Sequence, residues 1–497
     1  MRKEGNDLAE RKEKEMKSRK ILSIVQMNDS HAYFDFHQEM FWQGDHAVYR
    51  PAGGYARIAT IVKQIRAESQ GRILFCDCGD TMHGTYPALD TQGQALIPIL
   101  NSLGLDAMTA HWEFAYGPKV FNQRVAELNY PMLANNVYDK ETNKLVYQSY
   151  IIKEIGGLRI GLVGIASNIV DKTMPPSYSE GISFTLGREE LPPIVDTLRT
   201  QEKVDLIVLV SHLGFPQEMK LLSEVHGIDI CLSGHTHNRL YKPVLNGKTI
   251  VIQSGCHGSF LGRLDLEVDE GQIVDYRHRL IEVEAAIQPD PIVDELIKQA
   301  LAPYKNDLSE FVGETATALN RGTTLEATMD NFLLQALLES TGAQLAFSNG
   351  WRYGAPIVPG KITLNDLYNI IPMNPPVSTV ELAGEEIKAM LEENLERTFS
   401  CDPYQQMGGY VKRCLGLNVY FKIENPPGHR IQKLFAGNEE VQPDRYYTAA
   451  FVTPQGVHQK YGRNRENRSE RIIDAMRKYL VAHHPIHAEL RGTFVAV

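Results

Sequence analysis

The first half of the chain alternates short apolar runs with longer amphipathic stretches. Runs rich in β-branched residues predict buried strands at 21–27, 72–78, 159–166, 204–212, 227–235 and 248–255. Between them, 55–68 and 189–202 carry apolar residues at helical spacing and predict helices. Several of the apolar runs end directly in polar or charged residues. This is typical of layered α/β proteins, in which functional groups lie at strand ends.

The pattern changes after residue 284. The segment EAAIQPDPIVD (284–294) contains two prolines, which interrupt the strand pattern, and it leads into a predicted connecting helix at 291–304. Later helices are predicted at 329–341 and 384–399, and turn-plus-strand segments at 408–419 and 446–452. We therefore predict four parts, which are a charged N-terminal tail (1–20), a first domain (21–285), a linker helix (286–310) and a second domain (311–497).

Composition and charge exclude several classes of protein. The 497 residues carry a formal net charge of -10, which gives no reason to expect nucleic-acid binding. No apolar run approaches the roughly 18 residues of a membrane span. The apolar run after the mixed-charge tail, 21–27, is short for a signal peptide, so we expect a cytoplasmic protein that binds no membrane. Six cysteines in a chain of this length do not form a disulfide framework.

Five polar motifs lie at predicted strand ends or turns of the first domain. They combine two aspartates with up to five imidazoles and no cysteine, a set that suits Mn, Zn or Fe. A central carboxylate can bridge two such ions, and paired ions can promote displacement at a tetrahedral phosphorus or sulfur. The motifs are Asp29-Ser30-His31, Gly79-Asp80, Ala110-His111-Trp112-Glu113, Ser211-His212 and Gly234-His235-Thr236-His237.

The order of these motifs resembles the calcineurin-like metallophosphoesterases, and the second region is similar to the second domain of the 5'-nucleotidase family. The resemblance implies an α/β fold, with a four-layer α/β/β/α catalytic domain followed by a smaller α+β substrate domain. It also implies a metal-dependent hydrolase with two divalent ions (Mn, Zn or Fe). In such an enzyme a metal-bridging hydroxide attacks a tetrahedral oxyanion centre.

The resemblance also implies a role for each motif residue. Asp29, His31, Asp80 and His237 would hold one ion. Asp80 would bridge to a second ion, held also by His111, His212 and His235. Of these ligands, we place Asp80, His111 and His212 at the catalytic centre.

One motif departs from the usual family pattern of G-N-H-E/D followed by F-D-Y-G. Trp112 stands where the family has a catalytic histidine, and Ala115 stands where it has the aspartate partner of that histidine. Indole cannot act as an acid–base catalyst, so the dyad is absent. The same H-W-E-F-x-Y-G pattern resembles the SoxB-type thiosulfohydrolase branch, as does DPYQQMGGYVKR (402–413), although Tyr410 replaces an aspartate of that branch.

The second domain supplies candidate substrate contacts. Asn349 and Arg352 match an N-G-G-x-R loop, and Arg352 could clamp an anion through two nitrogens. Tyr410 lies at the position of one base-stacking ring, and Arg413 is a further candidate for anion contact. The aromatic motif that would complete a two-sided base sandwich is not recognisable at 451–462.

Three functions stay open at this point. The first is a thiosulfohydrolase-like enzyme, because loss of the dyad matters less for a thiolate leaving group than for an alkoxide. The second is a 5'-nucleotidase or other phosphomonoesterase or phosphodiesterase, and the third is a binding protein that retains metal without turnover. The expected partner is a small anionic substrate (a nucleotide, a phosphoester or an S-sulfonate), with a thiol-bearing carrier protein as the macromolecular alternative.

Overall fold

A computed structural model describes residues 19–497. The charged tail predicted at 1–20 therefore lies almost wholly outside the described residues. The first domain is built from two face-to-face β-sheets with helices on both outer surfaces. It is a four-layer α/β/β/α arrangement, as the resemblance implied. Within residues 19–497, no helix is both long and apolar enough to cross a membrane.

The first sheet has five strands. Its central strand, Lys20–Met27, pairs antiparallel with Phe260–Asp269 and parallel with Ile73–Asp77. In spatial order the strands are Gln272–Glu282, Phe260–Asp269, Lys20–Met27, Ile73–Asp77 and Ala107–Met108.

The second sheet has six strands. Leu206–Ser211 pairs parallel with both of its neighbours, Leu158–Ile165 and Ile230–Ser233. In spatial order the strands are Val244–Asn246, Thr249–Ile252, Ile230–Ser233, Leu206–Ser211, Leu158–Ile165 and Tyr150–Ile155. Two-stranded ribbons add His37–Gln43 with His46–Ala52, and Val137–Asp139 with Ile182–Phe184.

The two sheets bury an apolar layer between them. Leu22, Ile24 and Cys76 of the first sheet pack against Leu162 and Val208 of the second. Helices cover the outer faces of the sheets, because their apolar sides pack on the strands. The α-helices of this half are Tyr55–Glu68, Tyr86–Asp90, Ile97–Leu103, Pro118–Glu127, Val170–Thr173, Leu191–Thr200 and Phe215–Glu224. Short 3₁₀ helices occupy Gln94–Leu96, Trp112–Tyr116 and Pro176–Ser179.

The second domain surrounds a five-stranded sheet. In spatial order its strands are Tyr410–Leu415, Leu345–Gly350, Tyr446–Phe451, Pro376–Ala383 and Arg463–Arg471. A second sheet contains Glu439–Glu440, Ile431–Ala436, Leu417–Phe421 and Phe494–Ala496, and a ribbon pairs Phe311–Thr315 with Gly360–Thr363. The connecting helix Pro291–Leu301 packs on the first-domain helices Tyr55–Glu68 and Ile97–Leu103. The helices that follow it are Lys305–Leu308, Thr328–Thr341, Leu364–Ile370, Gly384–Phe399, Thr453–Gly456 and Ile472–Ala482, with a 3₁₀ turn at Pro403–Gln405.

The apolar pattern predicted six strands of the two large sheets and two of the helices of the first domain. The predicted run at 204–212 corresponds to the strand Leu206–Ser211, and the helix predicted at 55–68 is observed as Tyr55–Glu68. The connecting helix is shorter than predicted and ends at Leu301. The pattern did not reveal the ribbon His37–Ala52 or the hairpin that ends at Glu282, because strand pairing depends on contacts distant in sequence.

Candidate active site

The structure brings the seven predicted metal ligands together where the strands of the two sheets end. Their ligand atoms form two groups that share Asp80, and within each group these atoms lie within 4.8 Å of one another. One group is Asp29, His31, Asp80 and His237, and the other is Asp80, His111, His212 and His235. These are the two sets that the family resemblance implied, and their role as ligands stays a prediction.

Five of these seven residues have a left-handed backbone conformation. Their φ angles lie between 47° and 72°, a region that costs free energy for residues other than glycine. Strain of this kind persists only where the surrounding structure enforces it, and it concentrates at functional sites. The five residues are Asp29, His31, Asp80, His235 and His237.

Backbone hydrogen bonds hold the loops that carry the ligands against one another. The Asp29 amide donates to the Gly79 carbonyl at 2.9 Å, and the His31 amide donates to the Asp80 carbonyl at 2.8 Å. The Trp112 amide donates to Asp80 Oδ1 at 2.8 Å, and the His235 amide donates to Asp29 Oδ2 at 2.9 Å. The two carboxylates are therefore fixed before any ion arrives.

Ring hydrogen bonds orient two of the imidazoles. His31 Nδ1 lies 3.1 Å from the His83 carbonyl oxygen, and His212 Nδ1 contacts the Cys78 carbonyl oxygen. An Nδ1–H donated to a carbonyl leaves Nε2 with its lone pair toward the site, as in many metal centres. The two Nε2 atoms of His31 and His237 lie 3.2 Å apart, which suits two ligands of one ion.

The buried carboxylates and imidazoles of the site shift one another's pKa values. Burial alone would raise the pKa of the Asp80 carboxyl, but His111 and His212 hold that pKa well below its usual value. Burial lowers the pKa of His31 to about 3, so this ring is neutral. Although burial opposes its charge, the carboxylates of Asp80 and Asp29 raise the pKa of His212 to about 10.

Unpaired buried nitrogens show that the residues fit metal ions. His111 Nε2 and His235 Nδ1 are buried and make no hydrogen bond within the described chain, and His212 Nε2 lies 3.2 Å from Asp80 Oδ2. Buried polar atoms are normally satisfied, so orphan atoms beside two carboxylates call for a ligand. An all-Asp/His donor set with a shared carboxylate is suited to two divalent ions such as Mn, Zn or Fe.

Trp112 takes the position where an acid–base histidine was expected. The residue is only 8% exposed, lines the cavity above the metal clusters and stacks on His83 with ring centroids 4.9 Å apart. The Tyr353 ring meets it edge-on at 5.8 Å. Burial lowers the pKa of His83 to about 4, so this neighbour is neutral as well. The cavity wall at Trp112 is therefore aromatic, and the indole itself cannot act as a general acid.

A cavity of about 470 Å³ joins the metal clusters to the second domain. Asn349 and Arg352 line it, as the sequence indicated. Arg352 donates to the His235 carbonyl at 2.7 Å and to the Gly409 carbonyl at 3.2 Å. Its Nε–H is buried without a partner in the described structure, so one charged donor is left for a substrate anion.

Two of the predicted substrate contacts are placed differently. Arg413 is 2% exposed and donates to the carbonyls of Thr323 and Thr324, with Asp330 3.3 Å from its Nε. The expectation that it contacts a substrate anion is therefore wrong, because its guanidinium supports the fold. The half-buried ring of Tyr410 lies 5.3 Å from the Arg352 guanidinium carbon and is not part of the cavity wall. It does not serve as a base-stacking surface in this arrangement.

Comparisons with known proteins agree with this arrangement. The family model for calcineurin-like phosphoesterases matches residues 22–239, and that for the 5'-nucleotidase C-terminal domain matches residues 309–453. Residues 22–239 therefore form a calcineurin-like phosphoesterase domain, and residues 309–453 form a 5'-nucleotidase C-terminal domain. Together with the relatives, these two domains indicate a metal-dependent hydrolase.

Curated relatives align with most of this phosphoesterase at a little over a quarter sequence identity. The trifunctional nucleotide phosphoesterase YfkN of Bacillus subtilis is 28% identical over 82% of the chain, which spans only 30% of that protein. The 5'-nucleotidase of Bos taurus is 28% identical over 83% of the chain and 77% of its own length.

Solved structures resemble the phosphoesterase over nearly its whole length. The sulfate thiohydrolase SoxB of Thermus thermophilus, in complex with glycerol, superposes with a TM-score of 0.90 at 25% identity, covering 96% of both chains. A 5'-nucleotidase precursor from Thermus thermophilus has a TM-score of 0.83 at 22% identity, covering 96% of this chain and 99% of its own, and it supports the fold alone.

Three residues that support the site of the phosphoesterase were not predicted. The buried Glu113 carboxylate accepts from the backbone amides of Thr81 at 2.6 Å and His111 at 2.8 Å, and so ties two ligand loops together. Asn28 donates to Asp29 Oδ2 at 2.7 Å, and Gln253 donates to the Gly234 carbonyl at 2.6 Å. Glu113 is the last residue of one predicted motif and Asn28 adjoins another, and these positions are the only signal that the sequence offers for their supporting role.

A third group of possible ligands lies beside the phosphoesterase site, formed by His37, Glu39 and His257. Glu39 already accepts from His257 Nδ1 at 3.2 Å, Ser259 Oγ at 3.0 Å and Arg239 Nη2 at 2.9 Å. These donors satisfy the carboxylate without an ion. The ring centroid of His257 lies 6.2 Å from those of both His31 and His237, so this group packs next to two of the candidate ligands.

Proposed function

We propose that this phosphoesterase uses two divalent ions to hydrolyse small anionic substrates, and that it prefers an S-sulfonate with a thiolate leaving group. Trp112 carries the proposal, because the buried indole lines the cavity where a proton-donating imidazole would assist an alkoxide. A thiol ionises near pH 8.5 whereas an alcohol does not ionise in water, so a thiolate leaves without a general acid.

The chain's own groups would bind and orient the substrate. Asp29, His31, Asp80 and His237 would hold one ion, and Asp80, His111, His212 and His235 the other. When bound, such ions supply Lewis acidity, polarising the substrate oxygens and lowering the pKa of a water molecule. The unpaired Nε–H of Arg352 lines the same cavity and would orient the oxyanion, and Asn349 adds an amide there.

The proposed reaction converts an S-sulfonate and water into a thiol, sulfate and a proton. The bond between water oxygen and the sulfonate sulfur forms as the sulfur–sulfur bond breaks, and the electron pair of that bond leaves with the thiolate. The water gives up both protons, one of which the thiolate takes up. Trp112 and Tyr353 form an aromatic wall at this end of the cavity.

A 5'-nucleotidase activity is the second candidate, favoured by the sequence relatives such as the bovine 5'-nucleotidase. The structure offers little support for a base sandwich. Tyr410 packs beside Arg352 outside the cavity wall, and the hydroxyl of Tyr461 is tied to Glu393 at 2.9 Å. We therefore place nucleotide hydrolysis below S-sulfonate hydrolysis.

The test is a release screen on protein loaded separately with Mn, Zn and Fe. Sulfate and phosphate are measured with S-sulfonates of small thiols and of a thiol-bearing carrier peptide, with AMP and with glycerol 3-phosphate. We expect kcat/KM for the best S-sulfonate to exceed that for AMP. Efficient AMP hydrolysis without S-sulfonate activity would overturn the preference, and metal binding without any turnover would indicate a binding protein.

Asp80→Asn supplies the control for the site. Replacement of ligand-supporting groups typically costs about 10–100-fold in metal affinity or activity, so loss of the shared carboxylate should cost more than about 100-fold. Metal analysis should show fewer than two ions per chain in the folded variant. A folded Asp80→Asn protein that kept both ions and full activity would contradict the ligand assignment.

A further inference from the structure

The cavity is positively charged within an acidic protein. Apart from the metal-ligand residues, its walls include five cationic side chains and two acidic ones, although the whole chain has a net charge of -10. A cleft lined by one sign of charge concentrates ligands of the opposite sign. The cationic residues are Lys172, Arg352, Arg397, Lys412 and Lys460, and the acidic ones are Asp171 and Glu393.

Three of these cations form a group at the second-domain end of the cavity, which we call the distal cation cluster: Arg397, Lys412 and Lys460. Arg397 lies on the helix Gly384–Phe399, Lys412 on the strand Tyr410–Leu415 and Lys460 on the loop after Thr453–Gly456. Glu393 pairs with Arg397 at 2.7 Å and with Lys460 at 2.7 Å. One carboxylate therefore serves two cations, and the cluster keeps an excess of positive charge.

Lys412 contributes to this excess positive charge because its partners are carbonyl groups, not carboxylates. Its side chain is buried, with 6% of the residue exposed, and its ammonium donates to the carbonyls of Gln455 and Gly456 at 2.8 Å each. Within the described residues no carboxylate lies at ion-pair distance from it. An ammonium has three N–H donors, so one stays available at the cavity wall.

A buried charge without a counter-ion is costly in a folded protein. Burial lowers the pKa of Lys412 to about 8, so the side chain is still mostly cationic at neutral pH. A structure that holds this cation at the wall of a cavity has a site that an anionic ligand would complete. Arg352 lies at the metal end of the cavity, where it donates to the His235 carbonyl. It therefore does not bind the anion that Lys412 would bind.

We infer that the distal cation cluster binds a second anionic group of the substrate, a carboxylate on the leaving group, while the scissile sulfonate or phosphate lies at the metal clusters. The inference rests on the proposed function of the site for the position of the scissile group. It names the substrate class as the S-sulfonate of a thiol that carries a carboxylate. The corresponding phosphoester is that of a hydroxy acid.

The cavity volume and chemistry agree with this substrate class. A volume of about 470 Å³ is within the usual range for a small-molecule site, and both ends belong to the same cavity. A purine base offers no anion to Lys412. A carboxylate would instead receive a charge-assisted hydrogen bond from Lys412 and attraction from Lys460.

The experiment uses pairs of substrates that differ only in the carboxylate. One pair is the S-sulfonate of N-acetylcysteine and that of its amide, and the other is 3-phosphoglycerate and glycerol 3-phosphate. Values of kcat and KM are measured for the wild type, Lys412→Gln, Lys412→Met and Lys460→Met. Lys412→Gln retains donors for the two carbonyls and removes the charge. Lys478→Met, at an exposed lysine outside the cavity, is the matched control.

We expect the wild type to favour the carboxylate member of each pair. Loss of one charged hydrogen bond should raise KM for the carboxylate member about 10–100-fold in Lys412→Gln, with kcat little changed. The neutral member should change less than about twofold, and Lys478→Met should match the wild type. Equal kcat/KM for both members, or parallel loss for both in folded Lys412 variants, would overturn the inference.

Calorimetry separates failure of this inference from failure of the proposed function. If metal-loaded wild type turns over neither S-sulfonates nor phosphoesters, the proposed function fails. The same pairs are then compared as ligands. Tighter binding of the carboxylate member, lost in Lys412→Gln, would still support the distal anion site, whereas equal affinities would refute it.

Discussion

At the scale of single residues, Trp112 separates the site from an ordinary acid–base phosphoesterase centre. Its amide helps to fix Asp80, while its ring provides an aromatic wall stacked on His83. The residue thus retains the backbone function of its loop and has lost the proton-transfer function of the side chain. Ala115, three residues further along, leaves no carboxylate to orient a histidine there.

The double variant Trp112→His/Ala115→Asp should restore the missing dyad. General acid catalysis contributes about 10²–10⁴-fold, so kcat for glycerol 3-phosphate should rise toward that range. Hydrolysis of an S-sulfonate should change far less, because its thiolate needs no proton. Steady-state kinetics on both substrates provide the measurement, with Ala115→Asp alone as the control. An equal gain on both substrates would show that the indole affects access instead of proton transfer.

The pH dependence of substrate preference should follow Lys412. Its pKa of about 8 lies below that of an exposed lysine because of burial, with a smaller contribution from Arg397 that Glu393 opposes. The cation is therefore present below pH 8 and is lost as the pH rises through that value. KM for the carboxylate S-sulfonate should rise above pH 8, while KM for its amide should not. Lys412→Met should abolish the difference between the two profiles.

Sequence reasoning named the candidate ligands because each one lies in a short polar motif at a predicted strand end or turn, and because the order of these motifs resembles a known family. It did not reach Glu113 or Gln253, whose contacts join loops that are distant along the chain. It misplaced Arg413, because a buried arginine paired with Asp330 and a substrate-binding arginine have the same local sequence signature. Burial and partners of a charged side chain are properties of the tertiary structure.

At the scale of elements, the loop 406–409 of the second domain packs tightly against the candidate ligand His235. Gly408 has a φ of +70°, and a Cβ built on it would lie 2.3 Å from His235 Nε2. Such an approach excludes any side chain, so only glycine fits between this loop and the candidate ligand. The periodicity of the sequence predicted the strand that follows but could not show this contact.

Gly408→Ala should therefore reduce metal content and activity by more than the conformational penalty of a left-handed alanine alone would cause. Gly428 has a similar φ of +79° and nothing within 4 Å of a built Cβ, so Gly428→Ala isolates the conformational penalty of about 1–2 kcal/mol. We expect Gly428→Ala to keep wild-type metal content and activity and Gly408→Ala to lose both in part. Metal analysis and kinetics on the two folded variants provide the comparison. Equal behaviour of the two would contradict the contact.

At the scale of the whole molecule, the ligands of each ion come from loops of both sheets. Asp29 and Asp80 follow strands of the first sheet, whereas His212, His235 and His237 follow strands of the second. The sequence predicted those strands but not their division between two sheets, because pairing partners are set by packing. Two ions at this junction would connect the two halves of the catalytic domain.

Removal of the ions should lower the thermal stability of the folded chain. A ligand present at 100 times its Kd stabilises the folded state by about 2.7 kcal/mol, and the stabilisation is lost with the ligand. Calorimetric unfolding with and without a chelator should show a lower Tm without metal, reversed by Mn or Zn. The shift should be smaller in Asp80→Asn. An identical Tm in all conditions would show that the site holds no ion in the folded protein.

The position of His235 under the second domain has a thermodynamic consequence. Arg352 and Gly408 of that domain contact the same residue that is a candidate ligand of one ion. Coupling between two events is reciprocal, so an ion that stabilises this contact between the domains is itself stabilised by the contact, and by the same free energy. An ion-depleted enzyme should therefore open more readily and be cleaved sooner by a protease between its domains.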